Sequence, residues 1–221
     1  MSIKALSKSA IDTRFIKKIK VQDYSKKPII NGVKIIDLNI FNAEDGYFLE
    51  IGRLAEKSSL TDFPNFSMTF SPSQTRGFTP KRECRNSVQF ISGLKPGVFL
   101  NTVIKQISYS VLLPKAIKAW HLHLNQDDVL FVPPESIILA GLFDLRKDSP
   151  SKGSSVRTTL GNHKAKLLFI PRGVAHGLAN ISSSASSVVY LTNQEFNIKK
   201  PDEYRLPWDH LGKDFWKPQR G

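Results

Sequence analysis

Several features are scarce in this 221-residue chain, and each absence excludes a class of protein. The only cysteine is Cys84, so an internal disulfide framework cannot form. No stretch approaches the roughly 18 consecutive apolar residues of a membrane span, and the first residues lack the apolar run of a secretory signal. Long helical periodicity and internal repeats are also missing. These absences predict a cytoplasmic protein without membrane association.

Acidic residues are few relative to basic ones. The chain has 32 Lys and Arg against 19 Asp and Glu, a formal net charge of +13. Almost half of this excess lies in residues 1–28, where eight basic residues accompany two acidic ones. Because only Phe15 and Tyr24 could stack on bases there, we interpret this stretch as a solvated basic arm and expect no nucleic-acid partner. The basic residues outside this arm could equally well bind an anionic small substrate, such as a nucleotide diphosphate.

Strand signals dominate the rest of the sequence. Residues 32–49 contain two β-branched and aromatic runs around an Asn-Ala-Glu-Asp-Gly turn, which predicts a β-hairpin. Residues 52–97 are rich in Ser, Pro, Arg and Phe, which predicts an irregular insertion. From residue 98 onward, short apolar runs alternate with turn signals at the spacing of a sandwich or barrel. The sequence therefore predicts one all-β domain over 29–221 behind the arm.

Imidazoles and carboxylates are concentrated in residues 118–128. His121 and His123 are two residues apart, so both rings project to the same side if this stretch is a strand. Such a pair can transfer protons or bind a metal ion. Alternation alone equally allows two polar residues on a solvated strand face.

Several motifs, in the right order, resemble the dTDP-4-dehydrorhamnose 3,5-epimerase family, which acts on nucleotide-linked 4-ketosugars. Lys-Ala-Trp-His at 118–121 resembles Arg-Gly-Leu-His, and Phe-Asp-Leu-Arg-Lys-Asp-Ser-Pro at 143–150 resembles Val-Asp-Leu-Arg-x-Gly-Ser-Pro. Residues 169–177 resemble Ile-Pro-x-Gly-x-Ala-His-Gly, and 209–216 the tail Asp-Pro-x-Leu-Gly-Ile-Asp-Trp. The resemblance implies a cupin-like jelly roll (double-stranded β-helix), a homodimer, a nucleotide-sugar substrate and no cofactor.

The resemblance also implies roles for individual residues. In the family a histidine removes the proton beside the ketone, an aspartate orients that histidine, and a tyrosine supplies a proton from the opposite side of the ring. Carried over, the base is His121, its partner Asp209 and the acid Tyr190. The implied substrate contacts are Lys118, His176, Phe48, Glu50, Gln106 and His123. A ketone acidifies the neighbouring C–H bonds, so a base of near-neutral pKa suffices.

Four positions depart from the family pattern. The lysine that helps to stabilise the enolate aligns with Asp128, and a carboxylate cannot do that work. An arginine that contacts phosphate is Asp45, a second tyrosine is Phe196, and the motif arginine is Lys118. These departures leave open a catalytically silent relative that only binds sugar nucleotides.

The same departures resemble the metal-binding cupins. Their pattern is His-x-His, then a carboxylate, and later Pro-x-Gly-x-x-His. The matching residues here are His121, His123, Asp128 and His176. Three imidazoles and a carboxylate suit divalent iron, manganese or zinc. A metal-dependent enzyme is therefore one alternative, and a charge-driven structural or nucleic-acid interaction protein is another.

Overall fold

The computed structural model describes residues 7–17, 29–55, 87–89 and 104–218. Its strands are β1 (Lys34–Asp37), β2 (Ile40–Ala43), β3 (Gly46–Leu49), β4 (Arg53–Ala55), β5 (Ser87–Gln89), β6 (Gln106–Leu112), β7 (Ile117–Leu122), β8 (Asp128–Val132), β9 (Ile137–Asp144), β10 (Ser155–Gly161), β11 (Lys166–Ile170), β12 (Val174–Asn180), β13 (Ser186–Thr192) and β14 (Tyr204–Arg205). Helical structure in these residues is limited to Lys8–Ala10, Thr13–Ile16 and Lys213–Trp216. Within the described ranges, no helix is long and apolar enough to cross a membrane.

Two five-stranded antiparallel sheets form the body of the domain. The first sheet has the order β1-β11-β8-β13-β6, and the second has the order β10-β9-β12-β7-β14. From β10 to β13 the chain changes sheet at every strand, which is the connectivity of a jelly roll. The predicted all-β jelly-roll fold is therefore confirmed.

The main core lies between the two sheets. Strand alternation directs every second side chain inward, so that β9 contributes Ile138, Ala140 and Leu142. Leu130 and Val188 of the first sheet meet them from the opposite side. Each fully buried aliphatic side chain of this kind contributes about 1.5–3 kcal/mol, which makes this cluster the main source of stability.

The outer faces of both sheets are covered in part. The N-terminal segment, including Leu38 and β2–β3, packs on the outer face of the first sheet. The C-terminal tail packs on the outer face of the second, where Trp216 contacts Trp120 at 4.8 Å between ring centroids. A Cβ at Gly177 would lie 2.4 Å from the Ala119 Cβ and 2.8 Å from the Trp216 ring, so only glycine permits this approach.

Three sequence predictions about local organisation can be compared with the described residues. The hairpin predicted at 32–49 is shorter, because β2 pairs with β3 whereas β1 pairs with β11. In the predicted insertion, β4 pairs with β5, and residues 56–86 and 90–97 lie outside the described residues. Of the predicted basic arm, only 7–17 are described, as two short helical turns.

Candidate active site

A polar cavity of about 540 Å³ opens between the two sheets at one end of the sandwich. The strands that build the apolar core also line it, since β13 places Val188 in the core and Tyr190 in the cavity. Likewise β12 places Leu178 in the core and His176 in the cavity. The lining residues on or next to the sheets are Gln106, Ser108, His121, His123, Asp128, His176, Tyr190 and Thr192. The segment 194–204 closes one side of the cavity.

His121 is positioned by both strand neighbours of β7. On one side β12 places His176 directly opposite it, and the two rings stack with centroids 5.9 Å apart and planes 18° apart. On the other side β14 pairs Arg205 with His121, and Glu203, the residue just before β14, lies beside the imidazole. The Glu203 Oε1 lies 3.2 Å from His121 Nδ1. The geometry gives His121 a carboxylate partner and an imidazole neighbour.

The protonation state of His121 suits a base. Burial lowers the pKa of His121, as do the charges of His176 and Arg205, whereas Glu203 raises it. Together they lower the pKa to about 4. The imidazole is therefore neutral near pH 7 and can accept a proton.

Asp128 lies at the centre of a second group in the cavity. Its Oδ2 is 3.1 Å from His176 Nε2 and 3.6 Å from His123 Nε2, and its Oδ1 accepts a 2.7 Å hydrogen bond from Gln126 Nε2. Burial alone would raise the pKa of Asp128, but the hydrogen bond and charge of His176 and the charge of His123 lower it below its usual value. Asp128 is therefore an ionised carboxylate that is only 3 % exposed.

Tyr190 and Gln106 come from neighbouring strands of the first sheet. Burial raises the pKa of Tyr190 to about 12, with a further contribution from the negative charge of Asp128. The phenol therefore stays protonated and can donate a proton. Gln106 Nε2 donates to Ser108 Oγ at 2.9 Å, and its Oε1 accepts from the Phe196 N–H at 2.7 Å. The bond from Phe196 fastens the segment 194–204 to β6, and the bond to Ser108 holds the Gln106 side chain.

The structure brings together five of the nine predicted site residues, which are His121, His123, His176, Tyr190 and Gln106. The other four do not line the cavity. Lys118 Nζ instead donates to Ser110 Oγ at 2.6 Å. Phe48 lies on the β2–β3 hairpin and is 64 % exposed, and Glu50 follows the same hairpin. The substrate contacts of these three residues therefore stay predictions, and none of the three side chains lines the cavity within this chain.

The structure does not bring Asp209, the predicted partner of His121, to the cavity. Asp209 belongs to a turn of the tail, where its backbone carbonyl accepts from the Gly212 N–H at 2.7 Å. The chain passes His121 earlier, at β14, so the carboxylate beside the imidazole is that of Glu203. Sequence reasoning missed Glu203 because it lies in the polar stretch 193–203, which has no periodic pattern and no motif.

Asp202 was also missed, although it holds the same segment in place. Its carboxylate accepts from the backbone N–H groups of Leu124 at 3.1 Å, Asn125 at 2.7 Å and Gln126 at 3.0 Å. Its backbone carbonyl accepts from His123 Nδ1. The loop after β7 and the segment before β14 are therefore joined beside the cavity.

The structure brings together three of the four residues that the sequence suggests as metal ligands. Among the described residues, His123, Asp128 and His176 form a group whose ligand atoms all lie within 4.8 Å of one another. His121 is not a member of that group, since its Nδ1 faces Glu203. Three of the four predicted ligands are thus assembled.

Comparisons with known proteins agree with the fold and the order of the motifs. Residues 74–214, more than half of the chain, match the model of the dTDP-4-dehydrorhamnose 3,5-epimerase family. Among solved structures, the dTDP-4-dehydrorhamnose 3,5-epimerase of Bacillus anthracis has a TM-score of 0.58 at 19 % identity, covering 88 % of this chain and 91 % of that one. A dTDP sugar isomerase from Desulfovibrio desulfuricans has a TM-score of 0.56 at 23 % identity, with 86 % and 91 % coverage.

Two curated proteins are more similar in sequence. The spore coat polysaccharide biosynthesis protein SpsL of Bacillus subtilis is 40 % identical over 104 residues, which is 47 % of this chain and 68 % of SpsL. The probable low-salt glycan biosynthesis epimerase Agl13 of Haloferax volcanii is 33 % identical over 101 residues, with 46 % and 65 % coverage. These matches favour the sugar-nucleotide epimerase interpretation over its alternatives. On fold, motif order and sequence, the chain belongs to the dTDP-4-dehydrorhamnose 3,5-epimerase family.

Proposed function

We propose that this protein epimerises a nucleotide-linked 4-ketosugar by removing and replacing a proton on a carbon beside the ketone. The observation that carries the proposal is the position of His121, which lies between Glu203 and His176 in a cavity that also contains the Tyr190 phenol. A cavity of about 540 Å³ is within the size range of small-molecule sites. Family membership supplies the substrate class.

The proposed reaction starts with proton transfer to His121. The imidazole takes the proton from the carbon next to the ketone, and the C–H electron pair moves towards the ketone oxygen to give an enolate. The Glu203 carboxylate, whose Oε1 lies 3.2 Å from Nδ1, is the proposed acceptor of the Nδ1 proton's hydrogen bond and stabilises the imidazolium that forms. We place Glu203 in this role instead of Asp209.

Tyr190 completes the inversion in this proposal. The phenol donates its proton to the opposite face of the same carbon, and the ketone forms again as the enolate electrons return. Tyr190 and His121 then exchange protons with water before the next turnover. Because no electrons are gained or lost overall, the reaction needs no redox cofactor, and we propose that none is used.

The proposal extends to the assembly of the protein. Ile107, Tyr109 and Leu113, on or just after the edge strand β6, are 62 %, 67 % and 68 % exposed. An apolar row of this kind on a sheet edge supports burial against a second copy. We therefore propose a cytoplasmic homodimer in which the arm at 1–28 lies outside the jelly-roll domain at 29–221.

The test is isotope exchange. The protein is incubated in heavy water with a panel of nucleotide-linked 4-keto-6-deoxyhexoses, and deuterium at C3 and C5 is followed by NMR. We expect label at one or both carbons. His121→Ala should lower exchange at every labelled carbon by about 10²–10⁴-fold, because one base serves each removal. The matched control is His163→Ala, which removes an exposed imidazole from a turn outside the cavity.

Two results would contradict the proposal. One is the absence of label from every 4-ketosugar in the panel. The other is exchange by His121→Ala at the wild-type rate, which would assign proton removal to another group.

A further inference from the structure

We infer that His123, Asp128 and His176 bind one divalent first-row transition-metal ion. Two imidazole nitrogens and one carboxylate oxygen that leave part of the coordination sphere open are a common ligand set for such ions. All three residues are buried, at 8 %, 3 % and 6 % exposure, and all three line the cavity. An ion held there would face the bound substrate.

The spacing of the ligand atoms fits an ion of this class. In a tetrahedral or octahedral site with bonds of about 2.1 Å, adjacent ligand atoms lie about 3.0–3.4 Å apart. The Asp128 Oδ2 is 3.1 Å from His176 Nε2 and 3.6 Å from His123 Nε2. The three atoms all lie within 4.8 Å of one another, so side-chain adjustments of a fraction of an ångström to about one ångström complete the site.

The tautomers of the two histidines supply an independent argument. His123 Nδ1 contacts the backbone carbonyl of Asp202, and His176 Nδ1 lies 3.3 Å from the carbonyl of Val174. A carbonyl oxygen only accepts hydrogen bonds, so Nδ1 carries the proton in both rings. The Nε2 atoms of both rings then face the same oxygen of Asp128. A hydrogen bond can join only two of these three buried atoms at a time, whereas one divalent ion between them is bound by all three.

The surroundings hold the ligand atoms in that arrangement. Gln126 Nε2 donates to the other oxygen of Asp128 at 2.7 Å, which leaves Oδ2 directed at the imidazoles. The Asp202 carboxylate accepts three backbone N–H bonds and so fixes the carbonyl that orients His123. Such second partners of metal ligands typically raise metal affinity by 10–100-fold.

A role for the ion follows if the proposed function is correct, and this step alone rests on it. An enolate next to the ketone needs positive charge nearby, and in the family resemblance Asp128 aligns with the lysine that supplies it. A divalent ion on Asp128 and the two histidines would restore that charge in the same part of the cavity. The substitution of lysine by aspartate thus replaces a fixed ammonium with a ligand for a cation.

The experiment measures metal binding directly. The full-length protein is treated with a chelator, dialysed and titrated with Zn²⁺ by calorimetry, and with Co²⁺ while the visible absorption bands of the bound ion are recorded. We expect one ion per chain. Asp128→Asn and His176→Gln should each weaken Zn²⁺ binding by about 100-fold or more, and Gln126→Leu by about 10–100-fold. His163→Ala, with an equal loss of one histidine, should bind as the wild type does.

Each outcome bears on the inference. It is wrong if the wild type binds neither ion with a defined stoichiometry. It is also wrong if Asp128→Asn and His176→Gln, shown by circular dichroism to be folded, bind Zn²⁺ as tightly as the wild type. His121→Ala separates this inference from the proposed function, because it should keep Zn²⁺ binding and lose isotope exchange.

Discussion

The two ends of the sandwich are built from the same strands but differ in what those strands direct inward. At the end away from the cavity, which we call the closed end, β13 and β12 contribute Val188 and Leu178, and β10 adds Leu160. None of these three side chains is more than 3 % exposed. At the open end, the same two strands contribute Tyr190 and His176. A shift of two residues along a strand therefore changes a position from structural to chemical without any change of fold.

The polar end carries a cost that the apolar end does not. A buried polar group without a partner destabilises a protein by about 1–3 kcal/mol. In the cavity this cost is offset by specific contacts, such as those of Asp128 with His176 and Gln126. In the proposed function, His121 and Tyr190, which line the same cavity, are left to contact the substrate. The comparison teaches that stability and reactivity can be altered separately in this fold.

The largest effect should follow from Tyr190→Phe at the open end. The variant keeps the ring that packs against the core but loses the phenolic proton. We expect deuterium exchange to persist while inversion slows by about 10²–10⁴-fold, with a change in the free energy of unfolding below about 1 kcal/mol. NMR of the product and urea unfolding check both parts. Inversion at the wild-type rate would remove Tyr190 from the mechanism.

Leu160→Ala should do the opposite at the closed end. The Leu160 side chain is fully buried in the core between the sheets, so its truncation leaves a cavity. We expect the free energy of unfolding to fall by about 2–5 kcal/mol while the exchange rate per folded molecule is unchanged. Urea unfolding and rate measurements at a temperature well below the transition test this. A large loss of rate in the folded variant would mean that the two ends are coupled.

Asp144→Asn should lower stability by changing a buried carboxylate outside the cavity. Asp144 accepts hydrogen bonds from Arg146, Ser149 and Ser151. Burial alone would raise the pKa of Asp144, but these bonds hold it well below its usual range. The variant should lose about 3 kcal/mol of stability at neutral pH, since Arg146 and two hydroxyls lose their charged partner.

The pH dependence of this variant follows from the same shift. The unfolded chain takes up a proton near the ordinary Asp pKa of about 4, whereas folded Asp144 does so only at much lower pH. The wild type should therefore lose stability as the pH falls below about 4, and Asp144→Asn should lose less over that range. Urea unfolding at neutral pH and at about pH 3 measures the difference. Parallel curves for the two proteins would contradict the assignment.

The smallest expected effect is on kcat, and it is tested by comparing Glu203→Gln with Asp209→Asn. Loss of the carboxylate beside His121 should lower kcat by about tenfold with little change in KM, because an imidazolium forms during the reaction but not on substrate binding. Asp209→Asn should change neither constant by more than about twofold, since Asp209 does not line the cavity. The reverse result would favour the aspartate that the family resemblance implies.

Local patterns in the sequence predicted a large part of the fold and half of the site. Short apolar runs and turns indicated the jelly roll, and His121 and His176 were found because each lies inside a strand motif. Lys118 matched such a motif too, yet its ammonium bonds to Ser110 of β6. A motif fixes the position of a residue on a strand, but it does not fix the direction of a long side chain.

Glu203 could not have been predicted in the same way. Its position depends on the pairing of β14 with β7, which joins residues about 80 positions apart in the chain and involves only two residues of β14. Neither hydrophobic alternation nor a turn signal encodes so short a strand. Asp209, in contrast, lies in a tail motif that matches the family, and the path of the tail decides that it stays outside the cavity.

The packing of the tail on the second sheet has a consequence for the order in which the protein is made. Synthesis proceeds from the N-terminus, so β7, β8, β12 and β13 emerge well before residues 203–216. Until then, the edge of β7 beside His121 is unpaired, and Trp120 lacks the Trp216 ring that covers it. A chain interrupted before residue 203 would carry every imidazole of the cavity, but neither the carboxylate beside His121 nor the indole behind its strand.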